Sequence, residues 1–339
     1  MREKIILGLS GGVDSAVAAA LLLREYDVIG VYLDIGLGGS GADDARAVAD
    51  ALGIPFAVRS IRAALEREVC APFAEDYLAG RTPLPCARCN PLVKFPALLA
   101  AAGEYGASLI ATGHYARTVR GENGRALLLR GQSANDQSFL LARLPQELLG
   151  RTRFPLGDYD KAAVRALAAE LSLPVASKPD SMEICFVPDN DYAAWLDRRG
   201  ATPPPGDFID AQGNVMGRHK GIHHYTLGQR RGLGVSGPHR YFVSAIDPER
   251  NTVTLSDGGD LFTERVSCTD LNWISIPAPD VPLPCTVRLR HSRVEQGAVL
   301  TLTGSGALLT METPARAPTA GQLAVFYDGD TVLGSGWIV

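Results

Sequence analysis

The sequence predicts an α/β protein with an all-β ending: an N-terminal parallel sheet flanked by helices, a small mixed central domain and a C-terminal antiparallel β-barrel. Three observations carry this expectation. Up to about residue 115, apolar strand-like runs alternate with helix-spaced amphipathic segments, as a helix-flanked parallel sheet requires. One strand-to-helix junction, residues 8–15, is rich in glycine and hydroxyl side chains. From Pro203-Pro204-Pro205-Gly206 to the end, the text changes to short alternating strands broken by turn residues. A chain of 339 residues holds two or three domains, and the breaks in pattern divide it at 1–145, 146–205 and 206–339.

In order, strands are expected at 4–9, 27–33, 55–59 and 108–112. Helices are expected over Asp14–Tyr26, Gly41–Leu52, Ile61–Leu78 and Leu92–Tyr105, with Gly53 and Gly106 as C-terminal stops. The segment Arg81–Pro91 has three prolines in nine residues and reads as an ordered loop rather than a helix. A hairpin follows near Ala116–Arg130, then helices at Asp136–Leu144, Asp160–Leu171 and Asp191–Arg199. The β part places strands at Tyr241–Ile246, Thr252–Leu255, Val287–Leu289, Val299–Thr303, Leu308–Met311 and Leu323–Tyr327.

The octet Gly8-Leu9-Ser10-Gly11-Gly12-Val13-Asp14-Ser15 joins the first strand to the first helix. Such a turn aims backbone N–H groups and the positive end of a helix at one point, which suits a phosphate or pyrophosphate. Gly11 and Gly12 let the backbone approach an anion; Ser10 and Ser15 offer hydroxyl donors; Asp14 can cap the helix or face a metal or a reacting group. The lysine of a Walker A loop is missing. An ordinary βα turn with a capped helix is the plain alternative. In an open parallel sheet, ligands bind at the carboxyl ends of the strands, where this loop lies.

Hydrophobic content of 46% and charged content of 21% suit a soluble globular chain, and no apolar run nears the roughly 20 residues of a membrane span. No signal segment precedes the first strand, so a cytoplasmic protein without membrane partners is expected. The net charge is −4, unevenly spread. Ala211–Ile246 lacks Asp and Glu but holds Arg218, Lys220, Arg230, Arg231, Arg240 and four of the six histidines; Val281–Val294 carries Arg288, Arg290, His291 and Arg293. Two basic islands on an acidic protein fit an anionic partner, or else are solvated loops.

Six cysteines in a reducing compartment stay free unless they carry chemistry. Cys70, Cys268 and Cys285 sit in contexts that suit inert core thiols. Cys89 precedes Asn90-Pro91-Leu92-Val93-Lys94, where Lys94 and a helix start near Asn90 would depress its pKa. Cys185 lies in Ser177-Lys178-Pro179-Asp180-Ser181-Met182-Glu183-Ile184-Cys185-Phe186.

The octet resembles the PP-loop of ATP pyrophosphatases, which adenylate an oxygen and release pyrophosphate. With Thr112-Gly113-His114-Tyr115-Ala116, Asp136-Gln137-Ser138, Ile184-Cys185-Phe186, Gly221, Tyr225-Thr226-Leu227-Gly228-Gln229-Arg230-Arg231-Gly232-Leu233-Gly234 and Gly334-Ser335-Gly336, the whole chain resembles the bacterial tRNA-specific 2-thiouridylases. The resemblance implies a Rossmann-like PP-loop ATPase domain and replacement of the 2-oxygen of the wobble uridine of tRNA by sulfur. ATP, with Mg2+, would bind on Gly8–Ser15, with Leu33 and Gly113 near the base. Uridine O2 would be adenylated. Cys185 would carry a persulfide delivered by a sulfur-relay protein or a cysteine desulfurase, and Cys89 would be its partner thiol, since breaking an S–S bond needs a second thiolate. Asn135, Asp136, Gln137, Arg290 and His291 match positions that contact tRNA in the family; His114 and Gln322 match positions tied to tRNA selection. His114 also reads as a hydrogen-bonded histidine at a strand end.

One departure matters. Where many members carry an Asn-Pro-Asp segment bordering the target base, this chain has Leu84, Pro85 and Cys86. The resulting Cys86-Ala87-Arg88-Cys89, with Cys185, makes three thiols that suit a [4Fe–4S] cluster binding hydrosulfide. Persulfide and cluster are rival routes to one function. Another adenylating PP-loop ligase, or a non-catalytic tRNA-binding protein, would read the same loop or the same basic islands differently.

Overall fold

The computed structural model describes residues 2–180, 184–200, 202–292 and 294–339. Arg293 of the second basic island, and Ser181, Met182 and Glu183 of the Cys185 segment, lie outside the described residues.

The first sheet is parallel, in the order Phe56–Ser60, Asp27–Asp34, Lys4–Gly8, Leu109–Ala111, Thr152–Arg153. Its middle strand shows why both faces are covered. Ile5 and Leu7 point into one apolar cluster with the helices Val13–Leu22, Gly41–Leu52 and Lys161–Glu170, while Ile6 points into another with Phe95–Tyr105. Alternation along a strand sends successive side chains to opposite faces, so a parallel strand with helices on both sides must be apolar throughout.

A second, four-stranded sheet runs Phe242–Asp247, Thr252–Ser256, Gly206–Ile209, Val215–His219, around Phe208, Val243 and Val253. The third is a barrel. Phe262–Trp273, Gly306–Arg316, Gln296–Thr303, Leu283–Arg288, Leu323–Asp328 and Thr331–Ile338 pair antiparallel in that order, and the first closes on the last through Cys268↔Ile338 and Trp273↔Gly334. Closure removes the sheet edges. The α/β, small-sheet and barrel architecture therefore matches the predicted class. The hairpin Ala116–Arg120/Ala126–Arg130 pairs with the barrel, Leu129↔Thr331 and Leu128↔Val332, and one apolar cluster runs from Ile6 and Ile110 to Leu323, Val325 and Val332.

Several local expectations are corrected. Arg81–Pro91 is not all loop: Pro85–Cys89 is helical and continues through a π-turn, Asn90–Lys94, into Phe95–Tyr105. Pro85 opens that helix, where its missing N–H costs nothing, and Pro91 is absorbed by the wider π-turn. The expected helix at Asp136–Leu144 shrinks to Ser138–Leu141. Ile61–Leu78 is helical from Arg62, with its own π-turn at Glu66–Cys70.

Candidate active site: a glycine loop, borrowed lysines and three thiols

The loop leaves the carboxyl end of the central strand. Gly11 has φ +74°, and a Cβ there would stand 2.5 Å from the Gly41 carbonyl oxygen, so the backbone of the next helix leaves room only for glycine. Gly12 is extended and open; a Cβ would meet only Ser10 Oγ, at 3.5 Å. Gly8 packs on Leu98, and Leu9 and Val13 are buried, so these three anchor the loop from beneath. The Ser10 backbone N–H donates to Ser15 Oγ at 3.1 Å, and the two hydroxyls lie 3.1 Å apart. Gly113 sits against the helix start, its Cβ position 3.0 Å from Ser15 N. Leu33, near the end of its strand, packs half-buried between two apolar clusters.

Asp14 does not cap its helix. One of its oxygens accepts from the Tyr115 hydroxyl and from Lys161 Nζ, both at 2.7 Å. Lys161 also pairs with Asp180, which Arg165 holds from the other side. Burial works against the Asp180 charge, but Lys161 and Arg165 outweigh it and hold the carboxyl below the usual range. Lys178 donates to the Gly11 carbonyl at 2.9 Å and bonds Asp44, whose carboxyl it holds low. The cationic charge that the loop lacks thus comes from two distant lysines. Sequence reading missed both. A signal existed for each: Lys161 opens a helix capped by Asp160, and Lys178 lies in the Cys185 segment.

The cysteine helix packs on the π-turn Glu66–Cys70, and Cys89 joins the apolar cluster that also takes in Leu33 and Ile184. Cys86 and Cys185 are exposed and Cys89 is half-buried. Burial pushes Cys89 up; Cys86 adds to this, and Lys94, by charge and through its backbone N–H, opposes it without reversing it. Cys185 is pushed up to about 11, by burial first and then by Cys89 and Cys86. The expected depression of Cys89 is therefore corrected. Its helix begins at Pro85, so Cys89 sits past the first turn, where the positive helix end has little effect. The same couplings tie Cys86, Cys89 and Cys185 into one electrostatic neighbourhood that includes Lys94. Lys94 also faces His114, which hydrogen-bonds Thr112 at 2.7 Å and packs on Phe95 and Phe154. Desolvation, then Lys94, drives His114 well below its ordinary value and keeps it neutral.

The remaining candidates fall into two groups. Asn135, Arg230, Arg231, Arg290 and His291 are exposed. Asp136, Gln137 and Gln322 are engaged internally. Asp136 accepts from the Gly131 and Ser138 backbone N–H groups and from the Ser138 hydroxyl, and pairs with Arg288 at 3.0 Å, both side chains well buried. Gln137 accepts from the Tyr115 N–H. Gln322 donates to the Thr82 carbonyl at 2.8 Å and holds the segment that leads to Leu84, Pro85 and Cys86. Not every cation of the basic islands is free: Arg288 pairs with Asp136, Arg218 with Asp207, and His219 and His223 are buried.

A glycine loop at the carboxyl end of a parallel sheet, with two lysines over it, has the geometry of a nucleotide-phosphate site. Three family models match in series: the tRNA methyl transferase HUP domain over 3–189, the tRNA methyl transferase PRC-barrel domain over 194–257 and the aminomethyltransferase β-barrel domain over 263–338. The tRNA-specific 2-thiouridylase MnmA of Heliobacterium modesticaldum is 45% identical, over 100% of this chain and 93% of its own. That of Geobacter metallireducens is 44% identical, over 99% of this chain and 97% of its own. The chain belongs to the tRNA-specific 2-thiouridylase family.

Proposed function

We propose that this enzyme, a tRNA-uridine 2-sulfurtransferase, adenylates the 2-oxygen of the wobble uridine and replaces it with sulfur from a persulfide on Cys185. The observation that carries the reading is the pair of lysines, Lys161 and Lys178, held over the glycine loop. ATP phosphates would lie on Ser10–Ser15, where Lys161 and Lys178 can exchange their carboxylate partners for phosphate oxygens. Charge developing on the departing pyrophosphate is then met by fixed cations, the kind of preorganised stabilisation that lowers such barriers most. Attack of O2 on the α-phosphorus releases pyrophosphate; sulfur then adds to C2 and AMP leaves. Cys89 attacks the S–S bond of the persulfide, so the terminal sulfur departs with its electron pair while Cys89 and Cys185 close a disulfide. His114, neutral, supplies a hydrogen bond rather than a charge beside the base.

Among the described residues the carboxylates nearest the loop, Asp14, Asp44 and Asp180, are all paired with lysine or arginine. When Lys161 and Lys178 turn to phosphate, Asp14 and Asp44 lose those partners and would be free to hold Mg2+, which would neutralise phosphate charge beside the loop. The second reading is an iron–sulfur route. Three cysteines, two of them exposed, would suit a cluster with one open iron. Such a cluster would supply a site for hydrosulfide. For either route we propose the division 1–145, 146–205 and 206–339, with Lys161 and Lys178 of the middle part completing the ATP site of the first, in a cytoplasmic enzyme with a separate sulfur donor.

The test is incubation with tRNA, ATP and a cysteine desulfurase or sulfide source. Thiouridine, AMP and pyrophosphate are expected; ADP as the main product excludes adenylation. Cys86→Ala retains most thiolation under the persulfide route, and Cys185→Ala retains none. Iron content that tracks activity, with Cys86→Ala dead, establishes the cluster instead.

A further inference from the structure

Away from the loop and the thiols, a second group of side chains brings donor atoms together. Asp197 lies in the helix Tyr192–Arg199, and His223 and His224 end the short turn Ile222–His224 beside the small sheet. One donor atom from each lies within 4.8 Å of the others. We propose that Asp197, His223 and His224 form a binding site for a divalent metal ion of the zinc class, which clamps this helix to the small sheet.

Two observations fit a metal at this place. His223 Nε2 stands 3.1 Å from Asp197 Oδ1. Two ligands each about 2.0–2.2 Å from one ion, at angles between octahedral and tetrahedral, are separated by roughly 2.9–3.4 Å, so the spacing already fits. His223 is 1% exposed and its Nδ1 has no partner. As a neutral ring donating from Nε2 to Asp197, it buries an unpaired Nδ1 lone pair; with the proton on Nδ1, the Nε2 lone pair faces a carboxylate oxygen. Neither neutral tautomer pairs both ring nitrogens, and an unpaired buried polar atom costs about 1–3 kcal/mol; a second proton or a bound cation at Nε2 removes the conflict with Asp197. A cation between Nε2 and Asp197 removes the repulsion of the second form. Its Nδ1 proton then points toward the Gly221 side, where the Pro203 carbonyl oxygen also lies: both atoms are within 3 Å of the Cβ position of Gly221. A metal-bound histidine commonly donates its other N–H to such an oxygen. The second ring is 4.3 Å from the first, tilted by 43°. Two imidazoles and one carboxylate are ligands that zinc accepts, with water completing the shell on the half-exposed Asp197 side.

The site stands independently of the thiolation chemistry, but the thiols could also bind zinc. The full chain carrying Cys86→Ser, Cys89→Ser and Cys185→Ser is therefore titrated with Zn2+ and, separately, Co2+. Expected is one ion per chain, with Co2+ bands of nitrogen and oxygen ligation and no thiolate charge transfer. His224→Asn and Asp197→Asn, both at sites with solvent access, should each weaken binding at least tenfold while the metal-free unfolding midpoint stays unchanged. Zn2+ should raise the midpoint of the parent and not of the variants. Absence of uptake, or equal affinity in parent and variants, overturns the proposal and leaves an ordinary His–Asp hydrogen bond.

Discussion

Lys178 touches both the Gly11 carbonyl and Asp44, and Lys161 touches both Asp14 and Asp180. Each lysine is held by carboxylates that a triphosphate would displace. Lys178→Ala and Lys161→Ala should each lower the rate of pyrophosphate release about a hundredfold, the usual loss when one preorganised donor is removed. Single-turnover assays at saturating ATP check this; rates within twofold of wild type would make the lysines structural. The thiols make a pH prediction. Alkylation proceeds through thiolate, and a group pushed up to about 11 gains thiolate tenfold per unit while pH stays below that value. Carbamidomethylation of Cys185 in the free enzyme should therefore rise roughly a hundredfold between pH 7 and 9, read by peptide mass spectrometry. A plateau by pH 8 would mean that its thiol is already activated before tRNA binds.

At the scale of elements, the strand-turn-helix unit depends on its two central glycines for different reasons. Gly11→Ala forces a side chain into a left-handed backbone and against the next helix, and should destabilise the chain by about 1–3 kcal/mol. Gly12→Val meets free space in the unliganded protein and should leave the unfolding midpoint nearly unchanged, yet block ATP through the bulk it places in the loop. Thermal melts paired with nucleotide titration separate the two; ATP binding by Gly12→Val would place the phosphates elsewhere. The loop was legible in the sequence because strand, turn and helix are contiguous and each has a local signature. Lys161 and Lys178 were not, since they arrive by tertiary packing from residues about 150 positions away. The cysteine helix was misread because proline density signals a break, whereas Pro85 occupies a first turn and Pro91 a π-turn, where proline is tolerated. Cys89 was expected to be acidified by Lys94, but its burial depends on neighbours that no local pattern reveals.

Across the whole molecule, the basic islands divide into cations that build the protein and cations free to meet a polyanion. Arg288 belongs to the first kind. Its loss would strand Asp136 in the interior, and Arg288→Ala should cost about 3–5 kcal/mol. Arg230 and Arg231 belong to the second. The double change to glutamate should leave the midpoint unchanged, weaken tRNA binding and flatten its salt dependence by close to one log–log unit per lost phosphate contact. An unchanged slope would assign them no phosphate. Composition located the islands but could not sort them, because a buried and a solvated arginine are the same letter.

The hairpin Ala116–Arg130 emerges early in synthesis, yet its outer partner is the strand Thr331–Ile338, and the Arg130 N–H bonds the Asp330 carbonyl. For most of the time the chain spends on the ribosome, that strand edge has nothing to pair with. The parallel sheet can assemble from what has been made, but the apolar cluster it shares with Val325 and Val332 stays open until those strands arrive, some 200 residues later. Contacts spanning some 200 positions are slow to form, and bare strand edges invite pairing with other chains. The nascent protein thus passes through a long window in which the hairpin edge waits for the strand that covers it.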